Sequence, residues 1–274
     1  MQAPEPRPHL SAVPTSTPQQ PDRLVPIAAP LESIRVNHLS VTYRDVKALE
    51  DISVTVPAGQ LTGLIGPNGA GKSTLIKAML GLVPTVQGSV RVGDKALADQ
   101  RERVAYVPQR SQIDWTYPAT VWDVVMMGRV RKTGFLRPFS GISRRLALAA
   151  LERVDMAQLR HRSIGALSGG QQQRVFLARS LAQEADIFCF DEPFVGVDQK
   201  TETVLFKIFQ ELAQQGKIVL VVNHDLGESI TNFDQLILLN RHLIAAGPRA
   251  QVIHRENLHR AYGGQVQFFG AEAA

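Results

Sequence analysis

The sequence predicts an α/β fold with a mainly parallel sheet, an antiparallel β subdomain at the N-terminal end and an inserted helical subdomain. Three observations predict it. Two segments between Ile34 and Val56, separated by a short turn, alternate apolar and polar residues, as strands with one solvent-exposed face do. Farther along, short apolar runs alternate with helical patterns, which is typical of parallel sheets. Residues 110–165 interrupt this alternation with a helical, basic stretch.

Each element has its own signal in the order of the chain. The segments 33–43 and 48–57 form the alternating pair, "LTGLIG" (61–66) is a buried strand, and residues 72–82 form a helix that ends near Gly81. Strands follow at 88–94 and 103–109, and "RRLALAALERV" (144–154) is strongly periodic. The remaining predicted elements are a helix from Gly169, a strand at 185–193, a helix at 201–216, a strand at 217–225 and a strand pair at 235–247.

The composition describes one globular unit or two tightly joined lobes. The chain has 274 residues, of which 44% are hydrophobic and 20% charged, enough for a sizeable core. Residues 1–30 hold half of the 16 prolines, which predicts a disordered tail. We therefore divide the chain into a tail (1–30), one domain (31–250, with the helical subdomain at 110–165) and a C-terminal tail (251–274).

Membrane-spanning and secreted classes are not expected. No apolar run approaches the length of a membrane span, and the N-terminal segment lacks the apolar core of a secretory signal. The protein is therefore predicted to stay inside the cell. The single cysteine, Cys189, lies in the apolar stretch "IFCF" and is predicted to be a small buried hydrophobe.

The net charge of +5 comes largely from residues 128–145, where six arginines and lysines cluster. Such a run is compatible with nucleic-acid binding, with a solvated face or with a position near anionic lipid headgroups. Aromatic residues are not interleaved at stacking spacing and no recognition motif accompanies the cluster. The sequence therefore predicts no nucleic-acid partner.

The stretch "LIGPNGAGKST" (64–74) predicts a polyphosphate site. Gly66, Gly71 and Lys72 fit the spacing G-x-x-x-x-G-K-[ST], in which backbone N–H groups surround phosphates and the lysine reaches the outer ones. Ser73 supplies a hydroxyl for Mg²⁺, and the following helix directs its positive dipole end at the anion. A plain glycine-rich turn is the alternative, but the flanking strand and helix favour nucleotide binding.

Polar residues at three other strand ends predict the rest of the site. Asp191 and Glu192 end a buried strand, so both are expected beside the phosphate loop, Asp191 for Mg²⁺ and Glu192 as a general base. His224 is suited to sense the terminal phosphate. Gln109 can coordinate Mg²⁺ through its amide oxygen, and Tyr43 can stack on adenine. For Asp191 and Glu192, the alternative is a solvated strand end without a function. For His224, the alternative is an ordinary loop histidine.

The stretch "LSGGQQQR" (167–174) predicts a second anion site. Ser168, Gly169, Gly170 and Gln171 begin a helix whose N–H groups and dipole favour an anion. One chain cannot easily bring this helix end and the phosphate loop onto the same γ-phosphate from opposite sides. A head-to-tail homodimer can, and nucleotide then lies in the interface between the copies.

Together these motifs resemble the ATP-binding cassette family of P-loop NTPases, over nearly all of residues 34–247. The resemblance implies catalytic roles for Glu192 and His224 and Mg²⁺ coordination by Ser73, Gln109 and Asp191. The nucleotide-contacting positions that it implies are Tyr43, Gly66, Pro67, Asn68, Gly69, Ala70, Gly71, Lys72, Ser73, Thr74, Gln109, Ser168, Gly169, Gly170 and Gln171.

By the same resemblance, ATP closes a homodimer, hydrolysis reopens it, and the motion passes to an integral membrane permease at the cytoplasmic face of the membrane. Several stretches, among them "QRSQIDWTYPATVWDVVMMGR" (109–129), are similar to the ATPases of importers for manganese, zinc or iron, which also use a metal-binding solute-binding protein. Trp115, Tyr117 and Trp122 fit either a permease contact or core packing. A soluble ATPase without a permease, such as one for iron–sulfur cluster assembly, is the alternative function.

Overall fold

The computed structural model describes residues 33–134 and 137–263. The predicted N-terminal tail therefore lies outside the described residues, as does the end of the predicted C-terminal tail. The strands are β1 (Ile34–Tyr43), β2 (Val46–Val56), β3 (Leu61–Ile65), β4 (Gln87–Val92), β5 (Lys95–Ala96), β6 (Val104–Val107), β7 (Ile187–Asp191), β8 (Ile218–Val222), β9 (Gln235–Asn240) and β10 (His242–Pro248). The helices are α1 (Lys72–Met79), α2 (Val121–Met127), α3 (Val130–Thr133), α4 (Gly141–Arg153), α5 (Gly169–Ala182), α6 (Gln199–Gln214), α7 (Arg249–Val252) and α8 (Arg255–Tyr262).

The first strands form the predicted antiparallel sheet, in the order β2-β1-β4-β5. Strands β1 and β2 make a hairpin whose tip residues, Arg44 and Asp45, both have positive φ angles (42° and 70°). Such angles give a two-residue turn the twist that matches its strands. The inward positions of β2, from Leu49 to Val56, are buried apolar residues, as the alternating pattern predicts.

A six-stranded sheet in the order β10-β9-β3-β8-β7-β6 forms the centre of the domain, and all its pairings except β9 with β10 are parallel. Strands β3, β7 and β8 are buried throughout, because the two faces of the sheet are both covered. Phe188 and Phe190 pack with the helical side, whereas Cys189 packs with the antiparallel sheet and α1. Cys189 is fully buried as predicted, and burial raises the pKa of its thiol to about 12.

Parallel strands bring their carboxyl ends to one edge of the sheet. The loops that follow β3, β6, β7 and β8 therefore meet there, and they carry the phosphate loop, Gln109, Glu192 and His224. The topology thus collects residues that are far apart in sequence. None of the helices that the structure describes is both long and apolar enough to cross a membrane.

Helices α2, α3 and α4 lie between β6 and α5, within the predicted helical subdomain, and α2 and α4 pack against α5. Helix α2 begins at a capping box in which the Thr120 hydroxyl accepts from the Asp123 N–H and Asp123 accepts from Thr120. The Thr120 hydroxyl also donates to Asp123 Oδ2 at 2.6 Å, and this hydrogen bond, with that from the Thr120 N–H, lowers the pKa of Asp123. At the other end, a Cβ on Gly128 would lie 2.4 Å from the carbonyl oxygen of Arg179, so α2 ends in close contact with α5.

The C-terminal segment differs from the predicted tail. This segment contains α7 and α8, and Leu258 and Ala261 of α8 are only 2% exposed against the core. Asn240 in β9 donates its side-chain N–H to the Ala261 carbonyl at 2.9 Å. The sequence does not predict this segment as helical, because α8 spans barely two turns and its apolar spacing is too short to be distinctive.

Candidate nucleotide-binding site

The phosphate loop joins β3 to α1 and its geometry requires glycine. Gly66 has a φ of 151°, and a Cβ there would lie 2.0 Å from the Leu239 carbonyl oxygen in β9. Gly71 has a φ of 93° and caps α1, and a Cβ there would lie 2.8 Å from the Ala48 carbonyl oxygen. These positions therefore exclude other residues for two separate reasons, the left-handed backbone and the close approach of neighbouring strands.

Lys72 points back into its own loop. Its ammonium group donates to the carbonyl oxygens of Gly66 (2.8 Å) and Pro67 (3.0 Å), and only 6% of the residue is exposed. Burial lowers the pKa of Lys72, while the charges of Glu192 and Asp191 act in the opposite direction. The cavity beside the loop has a volume of about 230 Å³, and its lining residues are Ala48, Asn68, Gly69, Ala70, Gly71, Lys72, Ser73, Thr74 and Glu192.

Ser73 and Asp191 meet behind the lysine. The Ser73 hydroxyl donates to Asp191 Oδ1 at 2.9 Å. The second carboxylate oxygen, Oδ2, is buried and interacts electrostatically with the Tyr106 hydroxyl, but neither atom makes a hydrogen bond of normal geometry with a described residue. Asp191 is 1% exposed, and this burial raises the pKa of its carboxyl group. A buried carboxylate oxygen next to a hydroxyl is a donor set that suits a hard divalent cation such as Mg²⁺. The residues present therefore fit the magnesium ion that the sequence predicts.

Glu192 follows Asp191 in an unusual backbone conformation. Its φ is 52°, a left-handed value that costs a non-glycine residue about 1–3 kcal/mol. Glu192 lines the loop cavity together with Lys72 and Ser73. Gln109 donates its side-chain N–H to Glu192 Oε2 at 2.6 Å, which leaves the Gln109 amide oxygen without a hydrogen bond among the described residues. The predicted base and the predicted glutamine are therefore in direct contact.

Arg110 is a contact residue that the sequence pattern does not predict. Its guanidinium donates from Nε and Nη2 to Gln172 Oε1 at 3.1 and 3.0 Å, and Gln172 donates to the Ile164 carbonyl at 3.2 Å. The Trp115 indole in turn donates to the Arg110 carbonyl at 3.1 Å. The segment after Gln109 is thereby connected to α5 and to the helical subdomain. Nothing in the local pattern around "VPQR" indicates this connection, because Gln172 is distant in sequence.

The stretch 168–171 begins α5 as predicted. Ser168 accepts from the Gln171 N–H at 3.3 Å, and Gln171 accepts from the Ser168 N–H at 3.0 Å, which completes a capping box. A Cβ on Gly169 would lie 2.9 Å from the Gly196 carbonyl oxygen, so the first helical residue lies close to the loop after Glu192. Within the described chain, these residues do not line the phosphate-loop cavity. One chain alone does not bring the two predicted anion sites together.

His224 and Tyr43 lie at the surface. His224 follows β8, is exposed, and makes no hydrogen bond or ion pair within the described part of the chain. Asn223 fixes its loop, because its amide donates to Ser229 Oγ at 3.1 Å and accepts from the Asp225 N–H at 3.1 Å. Tyr43 ends β1 and is 42% exposed. Both side chains are free to meet a ligand, and their roles stay predictions.

The aromatic segment after Gln109 divides between packing and exposure. Trp115 is half-buried with its ring edge-on to Phe176, 5.5 Å between centroids, and Trp122 also packs against the core. Tyr117 is 60% exposed. Trp115 and Tyr117 border an apolar groove of about 200 Å³, which also includes Val124, Met127 and Phe176. The tryptophans therefore pack into the subdomain, whereas Tyr117 and the groove face outward.

The family model described as "ABC transporter" matches residues 49–195. The chain is 48% identical over 235 residues to the manganese transport system ATP-binding protein MntB of Bacillus subtilis, covering 86% of this chain and 94% of that protein. It is 46% identical over 241 residues to the zinc transport system ATP-binding protein TroB of Treponema pallidum, covering 88% and 90%. A solved ADP conformation of an ATP-binding cassette of an ABC transporter superposes with a TM-score of 0.75 at 25% identity, covering 85% and 99%.

Proposed function

Because the chain belongs to the ABC transporter family, whose ATP-binding cassettes bind and hydrolyse ATP, we propose that it drives a membrane importer of a transition-metal ion, manganese before zinc or iron. The observation that carries the ATPase part is the contact of the phosphate loop with the acidic strand end, through Ser73 and Asp191. The metal cargo is supported by relatives named for manganese and zinc transport that match over at least nine-tenths of their length.

The phosphate loop would bind the triphosphate through its backbone N–H groups and Lys72. Lys72 now donates to two loop carbonyls, and the β- and γ-phosphate oxygens would replace them as acceptors. The lysine is already buried, so an arriving anion meets a positive charge that few water molecules shield. The Lys72 ammonium group would exchange neutral carbonyl acceptors for charged phosphate oxygens, which form stronger hydrogen bonds and favour ATP binding.

Magnesium ion would be held by Asp191 Oδ2, Ser73 Oγ and the Gln109 amide oxygen. When bound, Mg²⁺ neutralises charge on the phosphates during transfer. Asp191 is well placed, since its second carboxylate oxygen is buried beside Ser73. Burial raises the pKa of Asp191, which disfavours its ionised form, and a bound cation would favour that form.

Glu192 would act as the general base for the attacking water. In the structure, its Oε2 accepts from Gln109, so the base is held by the same glutamine that is predicted to face the cation. A turn of the Gln109 amide toward the cation would release the Glu192 carboxylate for the water. His224, exposed at the same edge, would hydrogen-bond the γ-phosphate and orient the water.

A second copy of the chain would complete each site. Ser168 is exposed at the start of α5, Gly169 and Gln171 are partly exposed, and Gly170 is buried. None of these four residues lines the cavity of its own chain. In a head-to-tail homodimer, each α5 would direct its N–H groups at the γ-phosphate bound by the other copy. ATP then stabilises the closed dimer, and hydrolysis opens it by removing that anion. Tyr43 would stack on the adenine.

The permease would dock in the apolar groove beside Tyr117. The groove is open and apolar, a form that suits an aliphatic or aromatic anchor of a partner. Trp115, which lines the groove, donates to the Arg110 carbonyl, and Arg110 directly follows Gln109, which contacts Glu192. A movement of Gln109 on nucleotide binding would therefore be transmitted to the groove through adjacent residues. The chain would thereby lie as a peripheral subunit on the cytoplasmic face of the membrane. A metal-binding solute-binding protein would deliver cargo to the permease and not contact this subunit.

Metal uptake tests this function. In cells of the source organism that lack the chain, uptake of manganese, zinc and iron is measured after resupply of the wild type, of Glu192→Gln or of Glu211→Gln. We expect the wild type and Glu211→Gln to restore manganese uptake and Glu192→Gln to fail. Unchanged uptake of all three metals in the deletion strain would refute the transport function. A fall in iron–sulfur enzyme activity without any uptake defect would instead support the soluble alternative.

A further inference from the structure

The helical subdomain carries an unusual concentration of positive charge. No aspartate or glutamate occurs between Asp123 and Glu152, whereas this interval contains Arg129, Arg131, Lys132, Arg137, Arg144 and Arg145. Two of these pair with one acid from elsewhere. The buried Arg129 contacts Glu184 at 2.6 Å, and Lys132 contacts the same carboxylate at 3.2 Å. Those two ion pairs also lower the pKa of Glu184.

The other four basic residues are arginines without partners in the part of the chain that the structure describes. Arg131, Arg137, Arg144 and Arg145 are exposed, and none forms a hydrogen bond or ion pair there. Other basic residues of the domain do have acidic partners, as in the pairs of Arg103 with Asp186 and Lys47 with Glu50. An uncompensated group of four arginines raises the local positive potential.

Apolar side chains lie among these arginines. Val130 is 45% exposed and Ile142 is 59% exposed, so both present apolar surface to solvent between the arginines. Their two helices are joined beneath the surface, because Arg129 Nε contacts Ser143 Oγ at 3.5 Å. Val130 follows Arg129 and Ile142 precedes Ser143, so the two exposed aliphatic residues flank one buried contact. The surface is therefore a single feature built from both helices.

We propose that this surface, the basic–apolar patch of Val130, Arg131, Arg137, Ile142, Arg144 and Arg145, binds anionic phospholipid at the membrane surface. Exposed arginines surrounding aliphatic side chains match a layer of anionic headgroups over acyl chains. The patch also continues the docking groove, because Met127 lines the groove and lies just before α3. The orientation rests on the proposed permease docking, which places that side of the subdomain next to the bilayer.

Vesicle binding of the full-length chain tests the patch. Cosedimentation is measured with phosphatidylserine-rich vesicles and with pure phosphatidylcholine vesicles for the wild type, for Arg144→Gln/Arg145→Gln, and for a matched variant, Arg255→Gln/Arg260→Gln, which alters two exposed arginines of α8. Each arginine near an anionic surface contributes about fivefold, so loss of Arg144 and Arg145 lowers the partition coefficient by about 30-fold. The α8 variant has the same net charge and is expected to bind within about twofold of the wild type.

Three further measurements distinguish lipid binding by the patch from nonspecific binding and from a failure of the ATPase assignment. Binding should weaken steeply with salt, because the Debye length falls from about 10 Å at 0.1 M to about 3 Å at 1 M. Ile142→Ser should lower binding at every salt concentration by removing the apolar contact. ATPase rates of all these variants should stay at the wild-type level, so a failure of the ATPase assignment is seen independently. Equal binding to both vesicle types, an equal loss in the α8 variant, or tighter binding of the patch to duplex DNA than to vesicles would overturn the proposal.

Discussion

Replacement of Glu192 by glutamine tests the chemistry with little disturbance of structure. The side chains have the same size, and a glutamine carbonyl can accept the Gln109 hydrogen bond that Glu192 accepts at 2.6 Å. The left-handed φ of 52° is common to both residues, so its cost cancels in the comparison. We therefore expect the variant to fold with a stability within about 0.5 kcal/mol of the wild type.

The expected effect on hydrolysis follows from the role of the base. A positioned general base contributes about 100- to 10,000-fold, which corresponds to about 3–5 kcal/mol of activation free energy. Binding should not fall, because Glu192 lines the loop cavity and its negative charge repels the triphosphate. The glutamine variant should therefore bind ATP at least as tightly as the wild type and keep it in the closed dimer.

Three assays measure this prediction: phosphate release at saturating ATP, nucleotide affinity by fluorescence titration, and mass by light scattering with and without ATP. Glu211→Gln is the matched control, since it removes one carboxylate that pairs with Arg153 on the surface away from the loop. We expect the control to hydrolyse ATP normally and to remain open at steady state. A Glu192→Gln rate within about tenfold of the wild type would exclude Glu192 as the base.

The remaining predictions concern the lysine, the second chain and the buried aspartate. Lys72→Ala should weaken ATP binding by about 2–4 kcal/mol in titration, and unchanged affinity would remove the phosphate-loop assignment. Ser168→Arg should retain nucleotide binding but lose ATP-dependent dimerisation in light scattering; normal dimerisation would contradict a two-chain site. Asp191→Asn should stabilise the nucleotide-free protein to urea at neutral pH. Burial raises the pKa of Asp191, so the ionised carboxylate destabilises the fold above its ordinary pKa, and the advantage of asparagine should disappear as the pH falls through the raised pKa to below 3.8; a pH-independent difference would contradict this cause.

Much of the fold could be predicted because the strongest signals are local. Buried strands such as β8 are continuous apolar runs, and α6 has a regular apolar stripe from Leu205 to Leu212, so pattern alone places both within a few residues. The short helix α8 has no such local signal, and the sequence pattern does not predict it. Helix α8 gains its stability from Leu258 and Ala261 packing on β9 and from the Asn240 hydrogen bond, none of which its short sequence reveals.

The candidate site is likewise predictable only where local pattern and topology determine it. Strand ends predict that Asp191, Glu192 and Gln109 share one edge, because parallel topology requires it. Contacts between side chains depend instead on exact backbone angles. The left-handed turn at Glu192 brings its carboxylate to Gln109, and the Arg110 bond to Gln172 joins residues from separate subdomains. No pattern in the sequence encodes those distances.

The most direct test of the two-chain site uses mixed dimers of inactive variants. Lys72→Ala disables the phosphate loop of its own copy, and Ser168→Arg disables the α5 surface presented to the partner. If the site is shared, mixing these two variants rebuilds one intact site per heterodimer, whereas a chain carrying both changes mixed with wild type rebuilds none. Glu192→Gln is added to every chain so that bound ATP is not hydrolysed, and the ATP trapped per heterodimer is measured. We expect one ATP molecule per heterodimer in the first mixture and none in the second. Equal trapping in the two mixtures would contradict a nucleotide held between two copies.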